Sequence, residues 1–400
     1  MLRPQSAMLC CMWLLASSAF VMSAHAELPS LRPLQTLSPL SSEFNEDSCP
    51  AFGYAVAVSG DIALVGMPRT AGVGTGDPHD LFGRVAVYSR GADRVWKRTG
   101  TLLGHGGLFG SAISFRGAVA AIASSYDVHI FKFQSTTRKW TLLRRLIRNV
   151  DISSIDYQDG RLVVSGSGAA EVYQIDTAGN VLRQSRLTAS TDIGEAFGAD
   201  VAMAGDTIVV GAPNFVPGAP DQPGPGAAYV FKLIDGQWRQ RQKLVPPDPQ
   251  EPDTFGFSVA IDKGMIIVGS PGGAPLGAGY VYTPEAGIWK LRTKLHPTLL
   301  QEPSYSSFGL HIAMFDTRVA VTAVSHRPPP TPGDLYSAVI FAYERSGSDL
   351  RVFAVARPES GLRIAGPGQP VSIFGMTLVG GSPLAQCGIA ITYDLRQSPP

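Results

Sequence analysis

The dipeptide Phe-Gly recurs along this chain and opens the same pattern each time. It stands at five places, namely Phe52-Gly53, Phe109-Gly110, Phe197-Gly198, Phe255-Gly256 and Phe308-Gly309. The clearest copy continues after Gly198 as Ala-Asp-Val-Ala-Met-Ala-Gly-Asp and then Thr-Ile-Val-Val-Gly-Ala-Pro. Self-similarity at a nearly fixed period indicates a repeat architecture, so the fold is expected to consist of copies of one unit.

The spacing of these glycines predicts the number of units. The intervals are 57, 88, 58 and 53 residues, and the second is long enough to hold two units. A degenerate unit without Phe-Gly is therefore expected near residue 150, and a final unit near residue 360. Phe82-Gly83 and Phe374-Gly375 are out of register and are not expected to open units. Seven units are predicted, starting near residues 52, 109, 150, 197, 255, 308 and 360.

Each unit predicts four short antiparallel strands. In the first copy, alternating and β-branched residues mark strands over Tyr54–Val58, Ile62–Val65, Arg84–Tyr88 and Val95–Leu102. Gly60-Asp61 predicts a tight turn between the first two strands, because glycine tolerates the positive φ angles of hairpin turns. Seven four-stranded units of this kind predict an all-β protein, a seven-bladed β-propeller.

Tryptophans begin the fourth strand in four of the units and are expected to pack between blades. They are Trp96, Trp140, Trp238 and Trp289.

The repeats resemble the FG-GAP family, which includes the integrin α-subunit head and many secreted bacterial proteins. The resemblance covers about residues 52–383 and implies a binding propeller. Integrin-like repeats often carry an Asp-x-Asp-x-Asp-Gly calcium loop, but turns such as Ser59-Gly-Asp61 are shorter and hold fewer carboxylates. The nearest approach, Asp156–Gly160, is interpreted as a hairpin turn. No metal ion or other cofactor is therefore expected.

The last unit is expected to borrow a strand from the other end of the chain. Its own strands are predicted near Leu362–Ala365, Met376–Val379 and Gly388–Asp394, after which the chain ends. Residues 34–37 resemble the ends of fourth strands elsewhere, such as residues 100–103. Because an unclosed ring would leave unpaired strand edges, we expect this N-terminal segment to complete the last blade.

The N-terminus predicts export. Arg3 precedes an apolar run over Ala7–Met22, and Ala24-His-Ala26 fits a signal-peptidase site with cleavage after Ala26. The sequence therefore divides into a signal peptide, 1–26, and a single propeller domain, 27–400, that is secreted or periplasmic. An uncleaved anchor is the alternative. No other segment is long and apolar enough to span a membrane.

Charge and cysteine content fit this compartment. Removing residues 1–26 leaves 32 basic and 32 acidic residues, a balance that gives no reason to expect nucleic acid as a partner. Only Cys49 and Cys387 remain, in connections that a propeller places on one face at the closing seam. A disulfide between them is expected, and two free thiols are the alternative.

The long insertions all fall between the second and third strands. They are Arg69–Phe82, Asn214–Pro225, Gly272–Leu276 and Arg327–Asp334. Loops at this position project from one face of a propeller, and long loops on a rigid scaffold commonly carry binding sites. Tolerated surface insertions are the alternative explanation. The candidate ligand-binding residues in these loops are Asp77, His79, Asp80, Asp221, His326 and Arg327.

No catalytic motif accompanies this face. The sequence contains no His-Glu-x-x-His, no Gly-x-Ser-x-Gly and no phosphate-binding Gly-x-x-x-x-Gly-Lys. The favoured hypothesis is a non-catalytic binding or adhesion protein with a protein or glycan ligand. Two alternatives remain open: a glycan-active hydrolase or lyase that uses loop carboxylates, and a structural envelope protein. The sequence does not identify the ligand or the oligomeric state.

Overall fold

The computed structural model describes fourteen stretches of the chain: residues 29–41, 51–68, 82–148, 150–166, 168–189, 196–213, 225–247, 254–272, 276–297, 305–325, 337–347, 349–357, 370–382 and 388–396. These residues form thirty β-strands and no α-helix. The strands make seven sheets that surround a central channel. The prediction of an all-β, seven-bladed propeller is therefore confirmed.

Five blades are built from four consecutive strands each, ordered from the channel outward. Blade 1 contains β3 (Val56–Ser59), β4 (Ile62–Met67), β5 (Phe82–Arg90) and β6 (Trp96–Gly107). Blade 2 contains β7 (Ala112–Arg116), β8 (Val119–Ala123), β9 (Asp127–Gln134) and β10 (Lys139–Ile147). Blade 3 contains β11 (Ser154–Gln158), β12 (Arg161–Gly166), β13 (Ala169–Ile175) and β14 (Val181–Leu187).

The next two blades follow the same order. Blade 4 contains β15 (Val201–Ala204), β16 (Thr207–Ala212), β17 (Ala227–Ile234) and β18 (Gln237–Leu244). Blade 5 contains β19 (Ser258–Asp262), β20 (Met265–Ser270), β21 (Ala278–Glu285) and β22 (Ile288–Leu295).

Blade 6 carries additional pairings. Its four strands are β24 (Ile312–Phe315), β25 (Arg318–Ser325), β26 (Ser337–Ser346) and β27 (Asp349–Ala356). The short strand β23 (Tyr305–Ser306) also pairs with β25. At the outer edge, β1 (Ser30–Leu31) runs parallel to β27, and Leu31 is buried.

Blade 7 closes the ring with strands from both ends of the chain. Its C-terminal strands are β28 (Val371–Phe374), β29 (Thr377–Ser382) and β30 (Ile389–Asp394). The fourth strand is β2 (Gln35–Leu37), which pairs antiparallel with β30 so that Leu37 lies opposite Ala390. The predicted closure by an N-terminal strand is confirmed.

The first strand of blade 7 lies later in the chain than the sequence predicts. The strand that pairs with β29 is Val371–Phe374, whereas the expected Leu362–Ala365 lies outside the described residues. Gly375-Met376 is the turn of the innermost hairpin, so Phe374-Gly375 ends a strand rather than opening a unit. The prediction followed the average spacing of the repeats, which a longer connection between blades 6 and 7 displaces.

The Phe-Gly and Gly-Ala-Pro motifs meet where one blade packs on the next. The glycines of Phe-Gly have φ angles between 84° and 94°, a region that disfavours other residues. A Cβ on Gly66 of blade 1 would overlap the carbonyl oxygen of Gly110 of blade 2. Gly381 of blade 7 lies in the same way against Gly53 of blade 1. The repeated glycines are therefore required by close backbone contact between neighbouring blades.

At four seams a further glycine, at or just before the start of a third strand, lies against the Phe-Gly motif of the next blade. Gly388 pairs with Phe52, Gly226 with Phe255, and Gly277 with Phe308 in isolated parallel bridges. Gly83 lies equally close to the backbone of Phe109. The out-of-register Phe82-Gly83 thus supplies a seam glycine and does not open a unit.

The hydrophobic core is divided among the interfaces between neighbouring blades. One cluster joins Leu37, Val379 and Ala390 of blade 7 to the core of blade 1, which includes Trp96. Trp140, Trp238 and Trp289 pack against the equivalent clusters at the next seams. These tryptophans therefore pack at the blade interfaces, as the sequence predicts.

Candidate functional site

The two faces of the propeller differ in their connections. One face, here called the turn face, holds the hairpins between strands one and two and between strands three and four. Examples are Gly60-Asp61, Gly117-Ala118 and Asp235-Gly236. The other, here called the loop face, holds the connections between strands two and three and between successive blades. Every predicted long insertion belongs to the loop face.

The candidate residues on those insertions lie outside the described residues. They are Asp77, His79, Asp80, Asp221, His326 and Arg327. Cys49 and Cys387 also lie outside them. The structure does describe the strands from which the loops emerge, so each loop is anchored to a rigid sheet at both ends.

The central channel encloses a volume of about 930 Å³. The innermost strand of every blade contributes to its wall. Small side chains such as Ala57, Ala202 and Ala260 line much of it. Polar side chains interrupt this lining at blades 2, 3, 4 and 7.

These polar side chains connect the innermost strands of neighbouring blades. Ser372 Oγ of blade 7 accepts a hydrogen bond from the Val58 N–H of blade 1 at 3.1 Å. Ser114 Oγ of blade 2 accepts one from the Tyr157 N–H of blade 3 at 2.9 Å. Because an innermost strand has no further strand on its channel side, its N–H groups need such acceptors.

Two carboxylates continue this arrangement at the neighbouring seams. Asp156 of blade 3 accepts hydrogen bonds from the Ser114 hydroxyl at 3.0 Å and from the Met203 N–H of blade 4 at 2.8 Å. Asp200 of blade 4 accepts from the Val259 N–H of blade 5 at 2.8 Å and from the Ser154 hydroxyl of blade 3 at 2.7 Å. Asp200 therefore links three consecutive blades.

Burial raises the pKa of Asp200 to about 6, and the nearby charge of Asp156 adds to this rise. The hydrogen bonds from Ser154, Val259 and Val201 act in the opposite direction because they stabilise the ionised form. The residue is half-buried in the channel wall. Its two oxygens are both engaged by protein donors, so its geometry is that of a structural link between blades.

Two aromatic residues stand at the mouth of the channel on the loop face. Tyr54 and Phe257 follow the Phe-Gly motifs of blades 1 and 5, and both line the channel while remaining 46% and 40% exposed. His311 of blade 6 also lines the channel, two residues after the Phe-Gly motif of its blade, and burial lowers its pKa to about 4. Its Nε2 is buried and has no hydrogen-bond partner in the described part of the chain. The mouth thus combines exposed rings with a neutral imidazole.

A second histidine lies inside the seam between blades 1 and 2. His129 is fully buried, and its Nε2 accepts the His105 N–H at 3.1 Å. It packs edge-on against Phe109, with ring centroids 5.0 Å apart. Burial lowers its pKa to about 4, although the charge of Asp127 opposes this effect. These contacts are those of a core residue.

Within the described ranges, no three His, Cys, Asp or Glu side chains converge as a metal site would require. The described residues also contain no helix that is long and apolar enough to cross a membrane.

The channel carboxylates are the site residues that sequence reasoning missed. Asp156 occupies the strand position that holds Ala57, Ala202, Ala260 and Ala313 in other blades. A charged residue at a position that is alanine in four other blades could have marked Asp156 as unusual. Its role could not be predicted, because the N–H group that it binds belongs to the next blade.

Comparison with known protein families agrees with this architecture. The FG-GAP repeat family model matches residues 182–231 and 238–283. The chain carries FG-GAP repeats. Each matched stretch includes a fourth strand and the first three strands of the next blade, and so spans a seam. No curated protein is significantly similar in sequence.

Solved structures share the fold at low sequence identity. The WD40 repeats of RRP9 superpose with a TM-score of 0.54 and 10% identity, over 92% of this chain and 99% of that one. Sqt1 from Saccharomyces cerevisiae superposes with a TM-score of 0.53 and 11% identity, over 91% and 99% respectively. At such identities the similarity supports the propeller fold and nothing about the ligand.

Proposed function

We propose that this protein is an exported binding propeller that holds a protein or glycan ligand on its loop face. The observation that carries the proposal is the asymmetry of the two faces. Short turns close one face, whereas the insertions of blades 1, 4, 5 and 6 all emerge from the other. A rigid ring that collects its long loops on one side resembles other scaffolds whose loops bind ligands.

The channel mouth supports the same face. Tyr54 and Phe257 expose their rings there without the covering that buries the Phe-Gly phenylalanines. Exposed aromatic rings on the face that carries the long insertions suit both peptide and sugar ligands, because a ring offers apolar area at a low cost in side-chain entropy. The apolar run over Ala7–Met22 and the site after Ala26 support export.

Loop replacement tests the proposal. A glycan array and a cross-linked pull-down with the mature protein would first identify what is captured. Replacing Asn214–Pro225 by a short Gly-Ser turn is then expected to abolish capture while the melting temperature stays unchanged. The matched control replaces the turn-face residues 135–138 with Gly and Ser and is expected to retain capture. If capture persists after the insertions of all four blades have been trimmed, the ligand does not bind to these loops.

The export component has its own test. N-terminal sequencing of the protein from the producing cell's periplasm or medium is expected to begin at Glu27. Retention of residues 1–26 in a membrane fraction would instead favour the anchored alternative.

A further inference from the structure

A gap of about 190 Å³ opens between blades 3 and 4, away from the channel and near the turn face. Trp238, at the start of β18, forms one side of it, and Ser185 of β14 lies across from it. Val172 and Leu233 contribute apolar surface. The remaining lining residues are Arg161, Gln174, Arg183 and Gly236.

At two other seams a glutamine side chain fills the equivalent place. Between blades 7 and 1, Gln35 Oε1 accepts the Trp96 N–H and Gln35 Nε2 donates to the Trp96 carbonyl, both at 2.8 Å. Between blades 4 and 5, Gln242 makes the same two bonds to Trp289, also at 2.8 Å each. One primary carboxamide therefore satisfies the backbone of the tryptophan that begins the next fourth strand.

Ser185 occupies the glutamine position in blade 3. Gln242 and Ser185 each stand two residues before a buried leucine of the fourth strand, opposite Val230 and Val172 respectively. A serine side chain has three fewer heavy atoms than a glutamine side chain and is too short to reach the next blade. The gap is therefore the space that a glutamine side chain fills at those two seams.

The backbone of Trp238 faces this gap with its hydrogen-bonding groups. Leu233 and Trp238 form the second pair of the hairpin that turns at Asp235-Gly236. The Leu233 N–H donates instead to the backbone carbonyl of Asp206, in the turn before β16. In an antiparallel ladder such a non-hydrogen-bonded pair directs its N–H and C=O groups away from the partner strand. Trp238 accordingly presents one donor and one acceptor to the gap, as Trp96 and Trp289 do to their glutamines.

Two arginines line this gap, and one of them has no acidic partner within the described part of the chain. Arg161 bonds to the Gly205 carbonyl at 2.9 Å and lies 3.5 Å from Asp206, while its side chain remains 29% exposed. Arg183 makes no hydrogen bond and no ion pair within the described part of the chain. A guanidinium with free donors is suited to a carboxylate, which it can bind through two parallel hydrogen bonds.

We propose that the gap binds an acidic peptide segment of a partner protein, which inserts a glutamine side chain with a neighbouring carboxylate. The inserted carboxamide accepts from the Trp238 N–H and donates to its carbonyl, as Gln35 and Gln242 do within the chain. The carboxylate pairs with Arg183. This site lies apart from the loop face, so it does not depend on the function proposed for that face.

Three short acetylated and amidated peptides test the chemistry: Asp-Gln-Asp, Asp-Glu-Asp and Gly-Gln-Gly. Binding is followed through the indole N–H resonance of Trp238 in ¹⁵N-labelled mature protein, assigned with a Trp238→Phe variant. Asp-Gln-Asp is expected to shift this resonance and to bind at least ~10-fold more tightly than either other peptide, since each lacks one required group. Equal binding of Asp-Glu-Asp, or no shift with any peptide, overturns the proposal. A shift with methyl glucuronide but not with Asp-Gln-Asp would also overturn it, in favour of an acidic sugar.

Substitutions in the gap provide the structural test. Ser185→Gln is expected to fill the gap from within, to abolish the response to Asp-Gln-Asp and to leave the protein folded. Arg183→Ala is expected to weaken binding at least ~10-fold. Arg241→Ala removes an equal charge from the exposed face of β18 outside the gap and is expected to change nothing. Undiminished binding by both Ser185→Gln and Arg183→Ala would refute the site.

Discussion

The Gln35 carboxamide makes two hydrogen bonds of 2.8 Å to the backbone of Trp96, across the seam where the ring closes. Replacing it with leucine keeps the side-chain size but leaves a buried N–H and carbonyl without partners. Gln35→Leu is therefore expected to lower the free energy of unfolding by about 1–3 kcal/mol in urea titrations. Thr36→Val, on the exposed side of the same strand, is the control and should have little effect. An unchanged midpoint for Gln35→Leu would show that the closure does not depend on this side chain.

The seam glycines should tolerate no Cβ, and a matched pair tests this. A Cβ on Gly66 would overlap the Gly110 carbonyl oxygen, whereas one on Gly100 has no atom within 4 Å. Gly66→Ala is expected to cost about 3 kcal/mol or more, or to prevent folding, because backbone must move. Gly100→Ala is expected to be neutral or slightly stabilising. Thermal melts of the two variants decide the matter, and similar melting temperatures would contradict the steric explanation.

Two histidines with lowered pKa values should make the fold sensitive to acid. His129 and His311 both have a pKa near 4 in the folded protein, below the ordinary 6.5. The unfolded chain therefore binds protons first, so their contribution to stability is present above pH 6.5 and is lost as pH falls toward 4. The loss for fully buried His129 is on the order of 3 kcal/mol. Urea titrations at pH 7, 5.5 and 4 should show a smaller decrease for His129→Gln, and an identical profile would count against this explanation.

Titration of Asp200 is expected to change the stability in the opposite direction over part of this pH range. Its folded pKa of about 6 exceeds the ordinary 3.8, so the folded state binds protons more readily and gains stability as pH falls through 6. Asp200→Asn cannot titrate and places an NH₂ group against the Val259 or Val201 N–H. Its stability deficit relative to the unsubstituted protein is therefore expected to grow between pH 7 and pH 4. A deficit that shrinks over this interval would exclude the assigned pKa.

Cys49 and Cys387, the two cysteines outside the predicted signal peptide, are predicted to form a disulfide at the closing seam. Cys49 precedes Phe52 by three residues, and Cys387 directly precedes Gly388, to which Phe52 pairs. Mass spectrometry of non-reduced peptides is expected to find the two segments linked. Reduction, or Cys49→Ser, is then expected to lower stability by about 2–5 kcal/mol because the bond closes a very long loop. Free thiols at both positions would refute the pairing.

Much of the fold was predictable from the sequence because its determinants are local and repeated. Each Phe-Gly needs a positive φ and each strand needs alternation, so the repeats and most strand positions are visible within one unit. The closing strand was recognisable because Leu37 repeats the end of other fourth strands. The first strand of blade 7 was misplaced, since Val371–Phe374 follows a connection whose length no local pattern specifies.

The candidate sites could be predicted far less well, because they depend on pairs of residues from different blades. The roles of Asp156 and Asp200 become visible only when the N–H groups of Met203 and Val259 are brought beside them. Ser185 is unremarkable within its own strand and acquires meaning only opposite Trp238. The amino-acid sequence alone therefore determined the unit and its number, since these follow from local sterics and periodicity. The tertiary structure decided what lies in the seams, because residues of different repeats meet there only when neighbouring blades pack together.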